Sequence, residues 1–430
     1  MDEDPGCLKA PDLKGHIPVR VTTAFNMLLA LPGVNVTAVE FIADRVVVDV
    51  RLRRRRLVCP HCGYSTRWRH NTQARPSTWR ALDLGVWRVT IRAQLRRLAC
   101  PDDGVVVEEV PFARHGARMT RDVDDLVAWL ATKMDKTAIT RLLRVNWRTV
   151  GVIIERVVAD ELDPDRLDGL YEIGIDEVSY RKQHHYLTIV ADHRSGKVVW
   201  ADEGKDTAAA KRFYDALGER RSTQLTAVSM DMGKAYPAVT AERAPQAVIC
   251  WDPFHVAAMA SRELDIVRRA HWNHLRETTD AATAKRFKGA RWALLKRPED
   301  LTDRQHDTLQ ALKRTGGAVW RGYQLKEALR AIFDEQLRYT DVGALLDRWC
   351  SWAQRSRLPG FVALARTIRE RRDGILAAVR LGLANGRVEG LNNRVRLITR
   401  RGFGFHSASA VAALVMLSCG PINLTLPHER

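Results

Sequence analysis

Three acidic residues stand in settings that suit metal-assisted chemistry on phosphate esters. Asp176 and Asp231 lie in the apolar runs IGIDEVSY and LTAVSMDMG, whereas Glu389 lies on the polar helical stretch NGRVEGLNNRVR. Mg²⁺ and Mn²⁺ prefer oxygen ligands, and two such ions about 4 Å apart can hold both the attacking and the leaving oxygen of a phosphoryl transfer. Two aspartates on strands and one glutamate on a helix therefore predict a two-metal site.

The sequence around the two aspartates predicts the scaffold that would position them. Short apolar runs come first in tandem and then alternate with helical segments, which favours a mixed sheet covered by helices on both faces. Asp231 would end its strand, where α/β sheets commonly place ligands, and Gly174 would allow a close approach beside Asp176. The strands are predicted at 171–180, 185–193, 197–203, 225–231 and 247–252.

The segment around Glu389 predicts an amphipathic helix with one polar face. Because residues three, four and seven positions apart share a helix face, Glu389 lies beside Asn392, Asn393 and Arg396. This polar side could reach a phosphodiester while the other side packs on the sheet. The apolar side is predicted to consist of Val388, Leu391, Val395 and Ile398.

Other interpretations of the acidic residues remain open. A single acid at a strand end is more often a turn or cap residue than a ligand. Asp252, followed by Pro253, suits an N-cap with proline at the first helical position, but it also rivals Asp231 for the second metal position. His255 is either a site residue or a packed or capping histidine, and 184–185 suit an exposed hairpin end.

Several ordered blocks of the chain carry a family resemblance. They are IGIDEVSYRKQHHYLTIVADH, then VSMDMGKAYPAV with WDPFHV behind it, and finally NGRVEGLNNRVRLITRRGFGFHS. In this order the chain resembles the ISL-three insertion-sequence transposases of the DDE class, from the Cys pair near residue 60 to FGFHS. The resemblance implies an α/β, ribonuclease-H-like mixed-sheet core with Asp176, Asp231 and Glu389 as catalytic carboxylates. The 158 residues that separate Asp231 from Glu389 imply a helical insertion in this core.

A cysteine pair near residue 60 predicts a zinc-ribbon-like module. Cys59 and Cys62 have the C-x₂-C spacing of a zinc knuckle, and Cys100 belongs to a second half in which Asp103 takes the fourth place by spacing. The resembling transposases carry Cys or His there, so Asp103 departs from their pattern. The open alternatives are a site without zinc, a redox pair, buried thiols, or a fourth ligand from His61, His70 or His115.

A helix-turn-helix is predicted at 135–158. Its first helix would pack through Ala138, Leu142 and Leu143 against Val150, Ile153 and Ile154 of the second. The second helix would begin near Asn146, so its first turn would face base edges or phosphates. DNA contacts are predicted there for Asn146, Trp147, Arg148 and Thr149, and beside the carboxylates for Arg387, Arg394 and Arg396.

The composition points to a polyanionic partner. The formal net charge is +18 over 430 residues, which favours nucleic acid, and no apolar run approaches the roughly 20 residues of a membrane span. The seven cysteines are an odd count that suits a reducing compartment rather than a disulfide framework. We therefore expect a cytoplasmic, nucleoid-associated protein without a signal peptide.

Taken together, these features predict six segments. A strand and helix segment would be followed by the zinc-ribbon-like module, the helix-turn-helix, the first part of the core, a helical insertion and the last part of the core. Their predicted bounds are 1–50, 51–115, 116–165, 166–265, 266–375 and 376–430.

The predicted activity is cleavage and transfer of DNA strands at the inverted-repeat ends of an insertion sequence, with Mg²⁺ or Mn²⁺ at the carboxylates and structural Zn²⁺ at the cysteines. Synapsis of two DNA ends favours a homodimer or higher oligomer on double-stranded DNA. Two alternatives remain: a non-catalytic transposase remnant that acts as a repressor or architectural factor, and a nuclease that cuts without joining.

Overall fold

A computed structural model describes residues 19–181, 185–333, 337–383, 386–402, 405 and 407–429, without the side chains of 339, 386–389 and 392. The chain divides into two compact units, Met1–Val157 with Leu424–Arg430, and Val158–Asn423. Of the expected hairpin end, residue 184 lies outside the described residues, whereas His185 begins a strand.

The first unit is built from short strands followed by three helices. Its elements are α1 Val21–Leu29, β1 Val34–Ile42, β2 Arg45–Leu52, β3 Leu57–Val58, β4 Ser65–Thr66, β5 Asn71–Thr72, β6 Ser77–Arg80, β7 Arg88–Ala93, β8 Arg96–Cys100, β9 Gly104–Val107, α2 Arg121–Ala131, α3 Lys136–Leu143 and α4 Trp147–Glu161.

A four-stranded sheet of order β1-β2-β7-β6 forms the core of this unit. β2 and β7 run parallel, whereas the outer pairs are antiparallel. Val48 and Ile91 are fully buried, and Trp79 packs edge-on against Phe112 with ring centroids 5.0 Å apart. Two smaller sheets, β3-β4 and β5-β8-β9, lie in the segment that contains the cysteine pair.

Helices α3 and α4 form the predicted helix-turn-helix, with one packing error in the prediction. The Asp135 side chain caps α3 by accepting from the Ala138 amide at 3.0 Å, and Arg144 makes the turn with a left-handed backbone. Leu142 does not pack inward as predicted: it is 58% exposed, and Ile139 is fully buried instead. The physical reason is that α3 packs against α2, which selects a different face of α3.

The second unit contains the remaining strands and helices. Its elements are β10 Glu172–Arg181, β11 His185–Asp192, β12 Lys197–Glu203, α5 Thr207–Leu217, α6 Glu219–Ser222, β13 Ala227–Met230, α7 Ala235–Arg243, β14 Val248–Trp251, α8 Pro253–Thr278, α9 Ala281–Lys288, α10 Arg291–Leu295, α11 Asp303–Thr315, α12 Gly317–Ile332, α13 Tyr339–Gln354, α14 Pro359–Glu370, α15 Arg372–Leu381, α16 Gly386–Arg401 and α17 Ala408–Cys419.

The predicted mixed sheet is confirmed. Its order is β12-β11-β10-β13-β14, with antiparallel pairing up to β10 and parallel pairing from β10 to β14. β13 is wholly buried and β10 is buried from Ile173 to Asp176, as expected for strands covered on both faces, whereas Ser179 and Arg181 near the end of β10 are exposed. The unit therefore has a mixed α/β fold.

Helices from the long segment after β14 share a hydrophobic core with the sheet. α8 packs against α12, α15 against β14, α16 against β10 and α17 against β12. Ile173 and Val228 of the sheet share one apolar cluster with Leu264, Leu325 and residues of the later helices. This packing matters for the site because it fixes the position of β10 and of the ends of β13 and β14.

Among the described residues, no helix has the length and apolarity that crossing a membrane requires.

Candidate active site

Parallel pairing of β10 and β13 places Asp176 and Asp231 side by side. Ile175 pairs with Met230, so the acid that follows each of them lies at the same level of the sheet. Carboxylate oxygens of Asp176, Glu177 and Asp231 lie within 4.8 Å of one another. Asp176 is buried and accepts from the Glu177 amide at 2.7 Å, which helps to fix its side chain.

Glu177 is the third carboxylate of this cluster, and the sequence interpretation missed it. Alternation along a strand would place neighbours on opposite faces, so the Asp-Glu pair gave no reason to group them. Burial is the main cause that raises the pKa of Glu177 to about 7, and the negative charges of Asp176 and Asp231 contribute to the same rise. Three carboxyl groups in this small volume therefore repel one another in their charged forms.

A second group of side chains shares Asp231. Asp252 caps α8 as predicted, since its side chain accepts from the Phe254 amide at 3.0 Å. His255 Nδ1 lies 3.2 Å from Asp252 Oδ2 and also contacts Asp231. Burial lowers the pKa of His255, but the hydrogen bond to Asp231 and the neighbouring carboxylates outweigh burial and raise it overall. His255 therefore lies at the site rather than in a remote core.

The carboxylate cluster suits a hard divalent cation. Its donors are oxygens, which Mg²⁺ and Mn²⁺ prefer, and a cation would relieve the repulsion that raises the pKa of Glu177. The neighbouring group shares Asp231 and adds one carboxylate oxygen from Asp252 and one ring nitrogen from His255 within the same 4.8 Å limit. The residues present therefore fit the metal that the acidic pattern predicted.

Glu389 lies in α16, the helix that packs against β10, the strand of Asp176. Its side chain and that of Arg387 are outside the described residues. Leu391, Val395 and Ile398 are buried, as predicted for the apolar face. On the exposed side, Arg396 donates to Asn393 at 3.2 Å and Arg394 donates to the Ser418 carbonyl at 3.3 Å.

The predicted zinc ligands come together. The Cys59 thiol lies 3.1 Å and the Cys100 thiol 3.3 Å from Asp103 Oδ2, and the Cys62 and Cys100 sulfurs are 3.3 Å apart. The thiol hydrogen bonds, first that of Cys59, hold the pKa of Asp103 below its ordinary value. Since Zn–S bonds of about 2.3 Å separate tetrahedral ligands by roughly 3.8 Å, the group fits one zinc ion after a small expansion.

The histidines proposed as rival zinc ligands are not in this group. Within the described part of the chain, the cluster of possible ligands contains Cys59, Cys62, Cys100 and Asp103 but no histidine. His61 instead packs edge-on against His115, with ring centroids 4.6 Å apart. Cys250, Cys350 and Cys419 are buried free thiols, as expected for apolar fillers.

The proposed DNA-reading residues occupy the first turn of α4. The Asn146 side chain accepts from the Arg148 amide at 2.9 Å, so it caps the helix, and Arg148 is exposed. Trp147 is 41% exposed, and the ammonium of Lys136 lies 4.4 Å from its ring centroid. Thr149 is half-buried. Except for Thr149, this turn presents its side chains to solvent.

Comparison with protein families decides the membership of the chain. Residues 173–415, more than half of the sequence, match the ISL3 transposase family, whose description is "Transposase". The chain belongs to the ISL3 family of transposases. Residues 108–158 match the helix-turn-helix domain of transposase family ISL3, which covers α2, α3 and most of α4. The resemblance and the helix-turn-helix predicted from the sequence are thereby confirmed.

Two relatives are similar to this protein over most of its length. The transposase for insertion sequence element IS1557 of Mycobacterium tuberculosis is 44% identical over 407 residues, covering 90% of this chain and 91% of the relative. The transposase for insertion sequence element IS1001 of Bordetella parapertussis is 29% identical over 354 residues, covering 81% and 85%.

Arg371, which is far from β13 in the sequence, contacts the loop that follows β13 in this member of the ISL3 family. Arg371, at the start of α15, donates to the Met232 carbonyl at 2.6 Å, and its guanidinium lies 4.5 Å from the centroid of the Trp251 ring. Gly374 leaves no room for a side chain, because a Cβ there would lie 2.6 Å from the Ile249 carbonyl. Helix α15 therefore sits tightly on the strand ends that precede Asp231 and Asp252.

Proposed function

We propose that the protein is a DDE transposase that cleaves and joins DNA strands at the inverted-repeat ends of its own insertion sequence. One observation carries the proposal: carboxylate oxygens of Asp176 and Asp231 lie within 4.8 Å of each other, inside the segment that matches the transposase family. The names of the relatives support the same activity, since both are transposases for insertion sequence elements.

Asp176, Asp231 and Glu389 are the proposed ligands of Mg²⁺ or Mn²⁺. The bound ions would activate the attacking water or hydroxyl and stabilise the leaving oxygen. The chain itself orients the ligands: the Glu177 amide holds Asp176, and His255 holds Asp231. Arg394 and Arg396, with Arg387, are proposed to contact backbone phosphates beside them, because guanidinium groups pair well with phosphate oxygens.

The mixed sheet supports a ribonuclease-H-like core. Three antiparallel strands are followed by two parallel ones, and α16 returns to the sheet after the long helical segment. We therefore keep, as a proposal, a core of 166–265 and 376–430 interrupted by a helical insertion at 266–375. The segments 1–50, 51–115 and 116–165 are proposed as the preceding modules.

The first unit is proposed to bind the ends of the element. Zn²⁺ on Cys59, Cys62, Cys100 and Asp103 would tie the short strands of the zinc-ribbon-like module together. Arg144 also bonds to Asp83 and donates to the Val86 carbonyl at 3.1 Å, so the turn between α3 and α4 is attached to the loop between β6 and β7 of the same unit. Two such proteins on two DNA ends would form the synaptic assembly, so we propose a homodimer or higher oligomer on DNA.

A cleavage assay tests the proposal. The substrate is a plasmid that carries the DNA flanking the gene, and wild type is compared with Glu389→Gln in Mg²⁺, Mn²⁺ or EDTA. We expect metal-dependent cleavage at defined ends that is lost in the variant. Tight, specific end binding without any cleavage would instead identify a non-catalytic remnant. Cleavage without products joined to target DNA would identify a nuclease.

Arg148→Ala is expected to weaken specific end binding by about 1–3 kcal/mol, because Arg148 is exposed in the first turn of the proposed recognition helix. The measurement is a titration of end DNA and of an unrelated duplex without added Mg²⁺, Mn²⁺ or chelator. Arg45→Ala, which removes an exposed arginine from β2, is the control and should leave the preference for end DNA intact. Equal losses on both duplexes would argue against sequence reading by Arg148.

Arg371→Met is expected to weaken Mn²⁺ binding and cleavage at least tenfold, because the loop of Asp231 loses its bond to the Met232 carbonyl. Arg371→Lys should recover part of the loss. The matched control is Arg372→Met, since Arg372 pairs with exposed Asp347 instead. The Mn²⁺ midpoint for cleavage is compared with end binding measured without added Mg²⁺, Mn²⁺ or chelator. An unchanged midpoint in Arg371→Met would show that Arg371 acts on stability alone.

A further inference from the structure

The end of α8 and the two short helices after it form an exposed surface rich in cations and tryptophan. From Arg276 to Arg297 the sequence contains seven Lys or Arg residues and two acidic ones, Glu277 and Asp280. One of the acids, Asp280, is occupied as the cap of α9, where it accepts from the Thr283 amide at 2.9 Å. The exposed cations on these helices are Arg276, Lys285, Arg286, Lys288 and Arg291.

These five cations lack acidic partners among the described residues. Some exposed arginines elsewhere in the same unit do form ion pairs, as Arg212 does with Asp202 and Arg243 with Asp215. Arg286 instead donates to a hydroxyl, that of Thr283, at 3.3 Å. Unpaired cations on one surface create a positive potential that attracts a polyanion.

Two tryptophans lie among the cations. The Trp272 ring has Arg276 at 5.0 Å and Lys288 at 5.2 Å from its centroid, so cations of two helices flank one ring. Trp292 is 54% exposed and has the Arg291 guanidinium 5.1 Å from its ring. Cations held against aromatic rings, with one ring open to solvent, are the combination that binds nucleic acid through phosphates and base stacking.

Helix electrostatics explain only part of this surface. Lys285, Arg286 and Lys288 lie in the last turn of α9, where cations stabilise the negative end of the helix. Arg276 lies in the last turn of α8 and has the same explanation. Arg291, however, opens α10, where a cation faces the positive end of the helix, and an exposed Trp292 contributes nothing to a helix terminus. The combination therefore needs an explanation beyond the stability of α9.

We infer that this surface binds the backbone of the element's DNA away from the bond that is cut. Its distance from the carboxylates follows from α8, which begins after Asp252 and contains both His255 and Trp272. Seventeen residues at about 1.5 Å each place Trp272 about 25 Å along the helix from His255. With about 3.4 Å per base pair, the contact lies about seven base pairs from the site of chemistry. The inference rests on the proposed function in taking DNA as the partner.

The test replaces three exposed cations, Lys285→Gln, Arg286→Gln and Lys288→Gln, in the full chain. Binding to end-carrying duplex is measured without added Mg²⁺, Mn²⁺ or chelator over a range of salt concentrations. If each cation contacts one phosphate, the slope of log K against log salt becomes shallower by about 0.9 for each contact, or about 2–3 in total. A backbone footprint should lose protection about seven base pairs from the cleavage position.

The matched control removes the same charge from exposed positions on α5, α6 and α7 through Lys211→Gln, Arg220→Gln and Arg243→Gln, and should leave the slope and the footprint unchanged. Trp292→Ser is the single-residue check and should weaken binding without changing the salt slope. An unchanged slope and footprint in a folded triple variant would overturn the inference, and so would equal losses in both triple variants. Because binding is measured without the Mg²⁺ or Mn²⁺ that cleavage requires, this result is independent of whether wild type cleaves.

Discussion

Asp231→Asn is expected to abolish strand cleavage, with a loss on the order of 10³-fold or more. The side chain follows β13, shares the cluster of Asp176 and Glu177 and is held by His255. An amide of the same shape offers no negative charge to a divalent cation, and the stabilisation that metals give to a phosphoryl transfer amounts to several kcal/mol. Each 1.36 kcal/mol corresponds to a factor of ten in rate. The measurement is single-turnover cleavage of end-carrying DNA in Mg²⁺.

Binding to end DNA separates a chemical defect from a folding defect in this variant. Without added Mg²⁺, Mn²⁺ or chelator, Asp231→Asn should bind the duplex as tightly as wild type, since the proposed reading turn lies in the other unit. Asp215→Asn is the matched control, because Asp215 is exposed and pairs with Arg243 on the surface. Cleavage by Asp231→Asn at the wild-type rate would refute the assignment of the carboxylates.

Cys100→Ala is expected to remove zinc and to destabilise the first unit. Cys100 is buried beside Cys59, and both sulfurs lie within hydrogen-bond reach of Asp103. Structural zinc contributes about 10–16 kcal/mol in small domains, or roughly 3 kcal/mol for each of four ligands. Metal analysis should find one zinc per wild-type chain and little in the variant, whose melting temperature should fall. A strong chelator should lower the melting temperature of wild type in the same way.

Two further variants distinguish loss of zinc from loss of packing. Cys350→Ala removes a buried thiol of the other unit and should keep the full zinc content. Asp103→Cys should retain zinc more tightly against a chelator, because thiolate is the better ligand for a structural site. A wild-type protein that contains no zinc and melts at the same temperature with and without chelator would contradict this assignment.

The sequence by itself determined the features that depend on neighbouring residues. The Asp252 cap with Pro253 behind it, the break at Arg144 and the tandem strands around Asp176 all result from contacts a few residues apart. The C-x₂-C spacing of Cys59 and Cys62 is likewise a feature of residues a few positions apart. The family resemblance linked the distant sequence blocks that contain Asp176, Asp231 and Glu389. The match over 173–415 confirms membership of the family.

Tertiary structure decided which distant groups meet. Glu177 joins Asp231 because parallel pairing aligns the end of β13 with the middle of β10, and Arg371 reaches Met232 across 139 residues of sequence. Ile139 rather than Leu142 is buried because α3 packs against α2. Periodicity identifies an apolar face but does not identify the surface that covers it. These contacts depend on how elements far apart in sequence pack, and packing depends on all of the elements at once.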